Sequence, residues 1–290
     1  MLYIAFRVAG YLGFAHLLRY AQEHTPRPLR VMAVNYLVGV LLCLGWALLG
    51  GGGRLHSAAL AWGAAAGVTY VTSLLFFLPA IRSSGIAIAG TGLQLAMVIP
   101  VAVSVLHLGE TPSLTQAAGL AMAMPALPML VLGHSDGLRS GPKRLTPWVG
   151  LLFLSSGLSQ TAFKEFSHLG LAGERPYFSL TLFAVAALLT LACTGIWERR
   201  PQETPAASRG HWLARLWVAG SLLGTLNVGQ LWMLLLALAV LPGIVVFPVV
   251  ACLSVGLNVV VARILWGERP KPIAWVGIAL ATAAVGLLAG

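Results

Sequence analysis

The sequence predicts an all-α membrane protein of ten transmembrane helices, arranged as two inverted five-helix repeats. Three observations carry that prediction. Of the 290 residues, 58% are hydrophobic and only 9% charged, well outside the composition of a soluble domain. Ten apolar runs follow one another, each near the roughly 20 residues that a helix needs to cross a bilayer. Residues 85–130 also match residues 243–288 without a gap, at a constant offset of 158 residues. Self-similarity at one fixed spacing marks an architecture built from related halves.

The runs lie at 2–18, 29–49, 58–80, 85–108, 113–132, 147–166, 177–197, 213–236, 242–266 and 272–288. Breakers and charges sit between them, as in Pro26-Arg27-Pro28, Arg82-Ser83-Ser84 and Gly109-Glu110-Thr111-Pro112. Backbone groups cannot stay unpaired in hydrocarbon, so each run must be a helix or a strand of a closed barrel. The runs lack the alternation of barrel strands and are too long for them. Five spans separate a residue from its repeat partner, and an odd number turns the second copy upside down. The expected division is therefore a first repeat at 1–133, a connecting loop at 134–146 and a second repeat at 147–290. Gly63, Gly67 and Tyr70 extend the repeat upstream, pairing with Gly220, Gly224 and Asn227 at offset 157. Inverted hydrophobic halves of this kind are a common plan for membrane transporters, with a site near the midplane between them.

A net charge of +10 raises the question of nucleic acid, but the basic residues are scattered over short connections and form no dense patch. Lipid is the expected partner, and no nucleic acid. Of the 18 basic residues, 14 fall on the side of the 1–2, 3–4, 5–6, 7–8 and 9–10 connections. The positive-inside rule makes that side cytoplasmic and puts both termini outside. Cys43, Cys193 and Cys252 stand alone inside apolar runs and read as packing residues, with neither disulfide nor metal spacing. Met1 runs straight into an apolar stretch with no basic n-region, so no cleavable signal is expected.

The repeated pattern is a long apolar helix, then Gly-Glu-x-Pro, then Gly-x-Ala-x-Ala. It reads Gly109-Glu110-Thr111-Pro112 with Gly119, Ala121 and Ala123, and again Gly267-Glu268-Arg269-Pro270 with Gly277, Ala279 and Ala281. This resembles the EamA domain of the drug/metabolite transporter superfamily, whose members carry two such domains in ten helices. The resemblance spans essentially the whole chain. It implies a secondary transporter that moves a small polar, amino-acid-like metabolite, usually outward, by alternating access through a cavity between the halves. It also implies a multi-pass protein of a bacterial inner membrane, acting as monomer or homodimer. The chain departs from the family pattern in places: Tyr11-Leu12-Gly13 stands where an early Trp-Gly is common, and Pro128 where the second copy has Gly286. Family members are usually drawn with both termini in the cytoplasm, opposite to the charge count.

Polar side chains inside spans are costly, and so are the candidates for a substrate site. Arg7, near one end of the first span, either snorkels to the interface or faces a cavity. His16 suits the interface. Lys164 and Glu165 are adjacent on the sixth span, about 100° apart around the helix, so they cannot both face one partner. Asn227 and Gln230 are three apart and share one face of the eighth span. Asn35, Tyr36, Tyr70, Gln94 and Gln160 complete the set. For the uncharged members of this set the plainer reading is helix-to-helix hydrogen bonding, about 0.6 kcal/mol each. Gly90, Gly92 and Pro100 interrupt the fourth span and Pro248 and Gly256 the ninth; paired interruptions in corresponding repeat elements point to a transporter's site, with simple proline kinks filled by neighbouring helices the alternative. Glu110 and Glu268 stand at helix starts, where an acid complements the helix dipole.

An enzyme is not expected. Seven of the eight acidic residues lie in or beside connections, only Glu165 lies within a span, and neither an H-E-x-x-H nor a Cys/His cluster occurs. No catalytic residue, metal or cofactor is therefore anticipated. Nor is there a P-loop, so ATP-driven movement would need another subunit. Glu165 and His16 are the only acid–base groups placed for proton coupling. The remaining alternative is a membrane protein with a structural or assembly role, which would need no solvated cavity.

Overall fold

The computed structural model describes residues 1–24, 28–49, 55–84, 86–134, 146–197, 206–267 and 269–290. Most of the expected loop at 134–146, together with Glu268, Arg27, Arg54, Arg139, Lys143, Arg144, Arg199 and Arg200, lies outside the described residues. Among the described residues the fold is all-helical. In chain order the helices are α1 (Leu2–His24), α2 (Pro28–Leu49), α3 (Ser57–Ser84), α4 (Ile86–Leu95), α5 (Val98–Leu106) and α6 (Leu114–His134). There follow α7 (Pro147–His168), a single 3₁₀ turn at Ala172–Glu174, α8 (Arg175–Trp197), α9 (Ala206–Val240), α10 (Gly243–Trp266) and α11 (Pro272–Ala289).

Nine of the ten expected spans appear as single helices. The fourth does not, because it breaks into α4 and α5 at Ala96-Met97. The cause is Pro100, which has no N–H to give the Ala96 carbonyl. Ile99 N–H takes that carbonyl at 3.2 Å and Met97 N–H reaches Gln94 at 3.4 Å, so the backbone tightens to i→i−3 bonding. The expected matching interruption in the ninth span is absent: α10 runs unbroken through Pro248 and Gly256. At 35 residues, α9 spans about 52 Å and overshoots the roughly 30 Å hydrocarbon layer.

Among the described residues eight spans are long and apolar enough to cross a bilayer, with α4 and α5 counted together; α1 and α7 are the more polar pair. Leu41, Leu48, Leu49, Leu114 and Ile264 stand exposed on helix surfaces, which suits lipid and would be a liability in water. Small residues set the helix contacts. A Cβ built on Gly63 would stand 2.6 Å from the Phe178 carbonyl oxygen, and one on Gly67 2.7 Å from that of Leu182, so α3 lies hard against α8. The same spacing recurs where Gly220 and Gly224 on α9 meet the carbonyls of Val31 and Asn35 on α2. Gly119 and Gly277 likewise let α6 and α11 touch.

The first Gly-Glu-x-Pro segment, 109–112, makes the reversal between α5 and α6. Gly109 and Gly267 have φ of 70° and 66°, the left-handed geometry that ends a helix and that Gly adopts without penalty. After the first reversal, Ser113 and Gln116 form a reciprocal cap on α6. Gln116 N–H donates to Ser113 Oγ at 3.2 Å, and Ser113 N–H to Gln116 Oε1 at 3.1 Å.

Candidate functional site

A polar network crosses the middle of the bundle between α1, α2, α3 and α9. The Arg7 guanidinium donates to Gln230 Oε1. Gln230 Nε2 donates to Asn227 Oδ1 at 3.2 Å, as i,i+3 spacing on α9 allows. Tyr70 Oη donates to the same oxygen at 3.0 Å, and Asn227 Nδ2 donates to Asn35 Oδ1 at 3.3 Å. Tyr36 is buried with its ring edge-on to Tyr70, centroids 6.1 Å apart. Arg7 also lies over the Tyr11 ring at 5.9 Å, and Gln94 on α4 faces Tyr11. From sequence Tyr11, in the middle of α1, stands out only as a departure from the family pattern and not as a site candidate.

Arg7, Tyr70, Asn227 and Gln230 line one small cavity of about 30 Å³, closed on the other side by Phe163, Leu182, Phe183, Leu231 and Leu234. That volume holds a water or two. Two donors of the network are buried with no partner among the described residues: Arg7 Nε and Asn35 Nδ2. No carboxylate lines the cavity.

Three candidates lie elsewhere. Gln160 turns back on its own helix, with Nε2 3.4 Å from the Ser156 carbonyl. Glu165 is half-buried near the end of α7. Lys164 is buried, and its Nζ lies 2.5 Å from Glu110 Oε1. The Glu110 carboxylate also accepts the first two N–H groups of α10, Gly243 at 3.0 Å and Ile244 at 3.1 Å. Glu110 therefore does complement a helix dipole, but that of α10 rather than of the α6 it precedes. Ser113 and Gln116 already cap α6, which leaves Glu110 to reach across. Burial alone would raise the Glu110 pKa; the hydrogen bonds from Lys164, Gly243 and Ile244, with the Lys164 charge, outweigh it and hold the carboxyl below its ordinary value. On another flank Glu174 joins the start of α8 to that of α3, accepting from the His56 backbone N–H at 3.0 Å and contacting its ring.

Among the described residues no group of His, Cys, Asp or Glu is arranged to hold a metal ion. The three cysteines are free thiols.

Comparison with known proteins adds three findings. Residues 8–132 match a family model described as "EamA-like transporter family". None of the curated proteins matches. A solved structure titled only "Crystal structure of protein" superposes with a TM-score of 0.68 at 16% identity, covering 99% of this chain and 94% of that one. At that identity the likeness speaks for the fold alone. Within this multi-pass membrane chain, residues 8–132 are thus similar to the EamA-like transporter family.

Proposed function

We propose that the chain is a secondary transporter of the drug/metabolite type, moving a small solute that carries a carboxylate and an apolar body. The observation that carries this reading is Arg7. Its guanidinium reaches the middle of the bundle, meets the neutral Gln230 and the Tyr11 ring, keeps Nε unpartnered among the described residues and faces a cavity whose described lining has no acid. A cation held in that setting is costly without an anion, and a solute carboxylate supplies one. Tyr70, Asn227 and Gln230 offer polar contacts beside it, with Asn35 and Tyr36 behind them, whereas Phe163, Leu182 and Phe183 offer an apolar wall. An amino-acid-like metabolite has both parts.

Alternating access between inverted halves, 1–133 and 147–290 joined through 134–146, is the motion proposed. The recurrence of the glycine contacts, α3 on α8 and α9 on α2, supports it. A cavity of about 30 Å³ is too small for a metabolite, so in the proposed cycle the helices part before the solute enters. The same tightness favours one other reading, a structural or assembly role in which the polar network only holds helices together.

Thermal melts of the purified chain against a panel of small carboxylates and their neutral amides separate the two. Binding to the folded state raises the melting temperature, by about 2.7 kcal/mol of stability at 100 times Kd. Carboxylates should stabilise wild type and not Arg7→Gln. Stabilisation by amides as strong as by acids, or shifts that survive Arg7→Gln, would refute the carboxylate reading. No shift by any solute, with Asn227 and Gln94 closed to water-borne probes, would support the structural one. For coupling, Glu165 is the proposed proton carrier and export the proposed direction. Vesicle uptake that ignores an imposed pH gradient in both wild type and Glu165→Gln would rule out the former.

A further inference from the structure

A second and larger cavity, about 260 Å³, opens between the end of α2, the start of α8 and α9. Its walls include Trp46, Arg175, Tyr177 and Trp232, and no acidic residue. Trp46 stacks on Trp232, ring centroids 3.6 Å apart and planes at 21°. Trp232 is buried while Trp46 is half exposed. On α2 the residues four before and three after Trp46 are Leu42 and Leu49, which share its face and are exposed at 42% and 90%. The cavity thus opens beside an apolar strip turned to lipid, at a helix end, where aromatic side chains mark the depth of the headgroups. The acid nearest in sequence, Glu174, is engaged by His56.

We propose that this cavity is a phospholipid site, in which Arg175 holds the phosphodiester of an anionic headgroup and one acyl chain lies along Leu42, Trp46 and Leu49. The charge fits, with a guanidinium among walls that carry no carboxylate. So does the size: about 260 Å³ falls below the roughly 300–1,000 Å³ that encloses a drug-sized ligand, leaving room for a headgroup with its chains outside. A free anion would gain nothing from the leucine strip. A choline headgroup would need open aromatic faces, and the stack covers one face of each indole. This inference does not depend on the transport reading.

The test is delipidated full-length protein in detergent, titrated with phosphatidylglycerol, phosphatidylcholine and inorganic phosphate, with binding followed by native mass spectrometry and by lipid-induced melting shifts. Phosphatidylglycerol should bind at least tenfold more tightly than phosphatidylcholine, and Arg175→Gln should erase that preference while Arg175→Lys keeps part of it. Comparing lipid-induced shifts within each variant removes any general loss of stability. Trp46→Ala, on the exposed side, should weaken both lipids and leave Arg175 in place. Equal binding of the two lipids by wild type, an unchanged preference in Arg175→Gln, or inorganic phosphate stabilising as well as the lipid would each overturn the proposal.

Discussion

Removing the Lys164 ammonium tests the arrangement at the start of α10. Its side chain is 7% exposed and that of Glu110 16%, so the pair is largely withdrawn from water. Breaking a buried pair from one side costs about 3–5 kcal/mol, because the remaining charge stays desolvated. In Lys164→Met the carboxylate still accepts from Gly243 and Ile244 N–H, which puts the loss near the lower limit, about 3 kcal/mol. Glu110→Gln should cost about the same: it strands the ammonium and presents an amide donor toward N–H groups that need acceptors. The double variant carries neither buried charge and should be no worse than either single change. That is a coupling of about 3 kcal/mol. Melting of the reconstituted protein at one fixed scan rate reads it out, each single variant falling by about 6–12 °C by the scaling for larger domains. A double variant that falls by the sum of the two would show that Lys164 and Glu110 act independently, and the reasoning would fail.

Acid should act through the same carboxylate. Because the folded Glu110 pKa lies below its ordinary value of 4.5, its stabilisation is present above that value. It is lost as pH falls from 4.5 through the lower folded value. Melting temperature should therefore drop in that acid window, and Glu110→Gln should flatten that part of the drop while leaving neutral pH lower throughout. At the helix contacts, Gly224→Ala would place a Cβ 2.6 Å from the Asn35 carbonyl oxygen and should cost about 1–3 kcal/mol. Gly150→Ala, with nothing within 4 Å, should be neutral or slightly stabilising. Equal melting shifts in the two variants would refute the close-packing account.

Helix positions were legible because hydrocarbon leaves the backbone no other choice: a run of about 20 apolar residues between breakers is a helix whatever its neighbours are. The break between α4 and α5 was legible only in part. Pro100 marked it, but Pro248 marked α10 equally well, and that helix runs on. A proline in a helix leaves one carbonyl short of a donor, and local bending or a neighbouring group decides whether the helix breaks. The association of Asn227 with Gln230 follows from i,i+3 spacing, and Tyr70 entered as the repeat partner of Asn227. That Arg7 joins them, and that Lys164 leaves for Glu110, are facts of tertiary packing with no local signature. For Glu110 the missing clue was competition, since the Ser113–Gln116 cap had already met the need of α6.

The repeat also explains where the polar network must sit. Glycine contacts align α8 with α2, so that Leu182 corresponds to Asn35 as the residue whose carbonyl meets a glycine of the packed helix. Phe183 then corresponds to Tyr36, and Tyr70 to Asn227. The packing positions are kept in both copies as glycine, but the side chains aimed at the centre differ: Asn35 and Tyr36 in one copy, Leu182 and Phe183 in the other. Two identical copies would give a cavity with the same chemistry on both walls. This one has a hydrogen-bonding wall, served by Arg7 and Gln230, facing an apolar wall. In the proposed transport reading a solute held there would lie with its charged end to Arg7 and its body toward Phe183. Exchanging the walls by Asn35→Leu with Leu182→Asn would keep the glycine contacts, remove the acceptor of Asn227 Nδ2 and put an amide on the apolar wall, with Arg7 and Gln230 untouched. On the proposed reading the chain should still fold, keep the Arg7-dependent preference for carboxylates and hold their apolar bodies more weakly, and affinities left unchanged would place recognition outside this cavity.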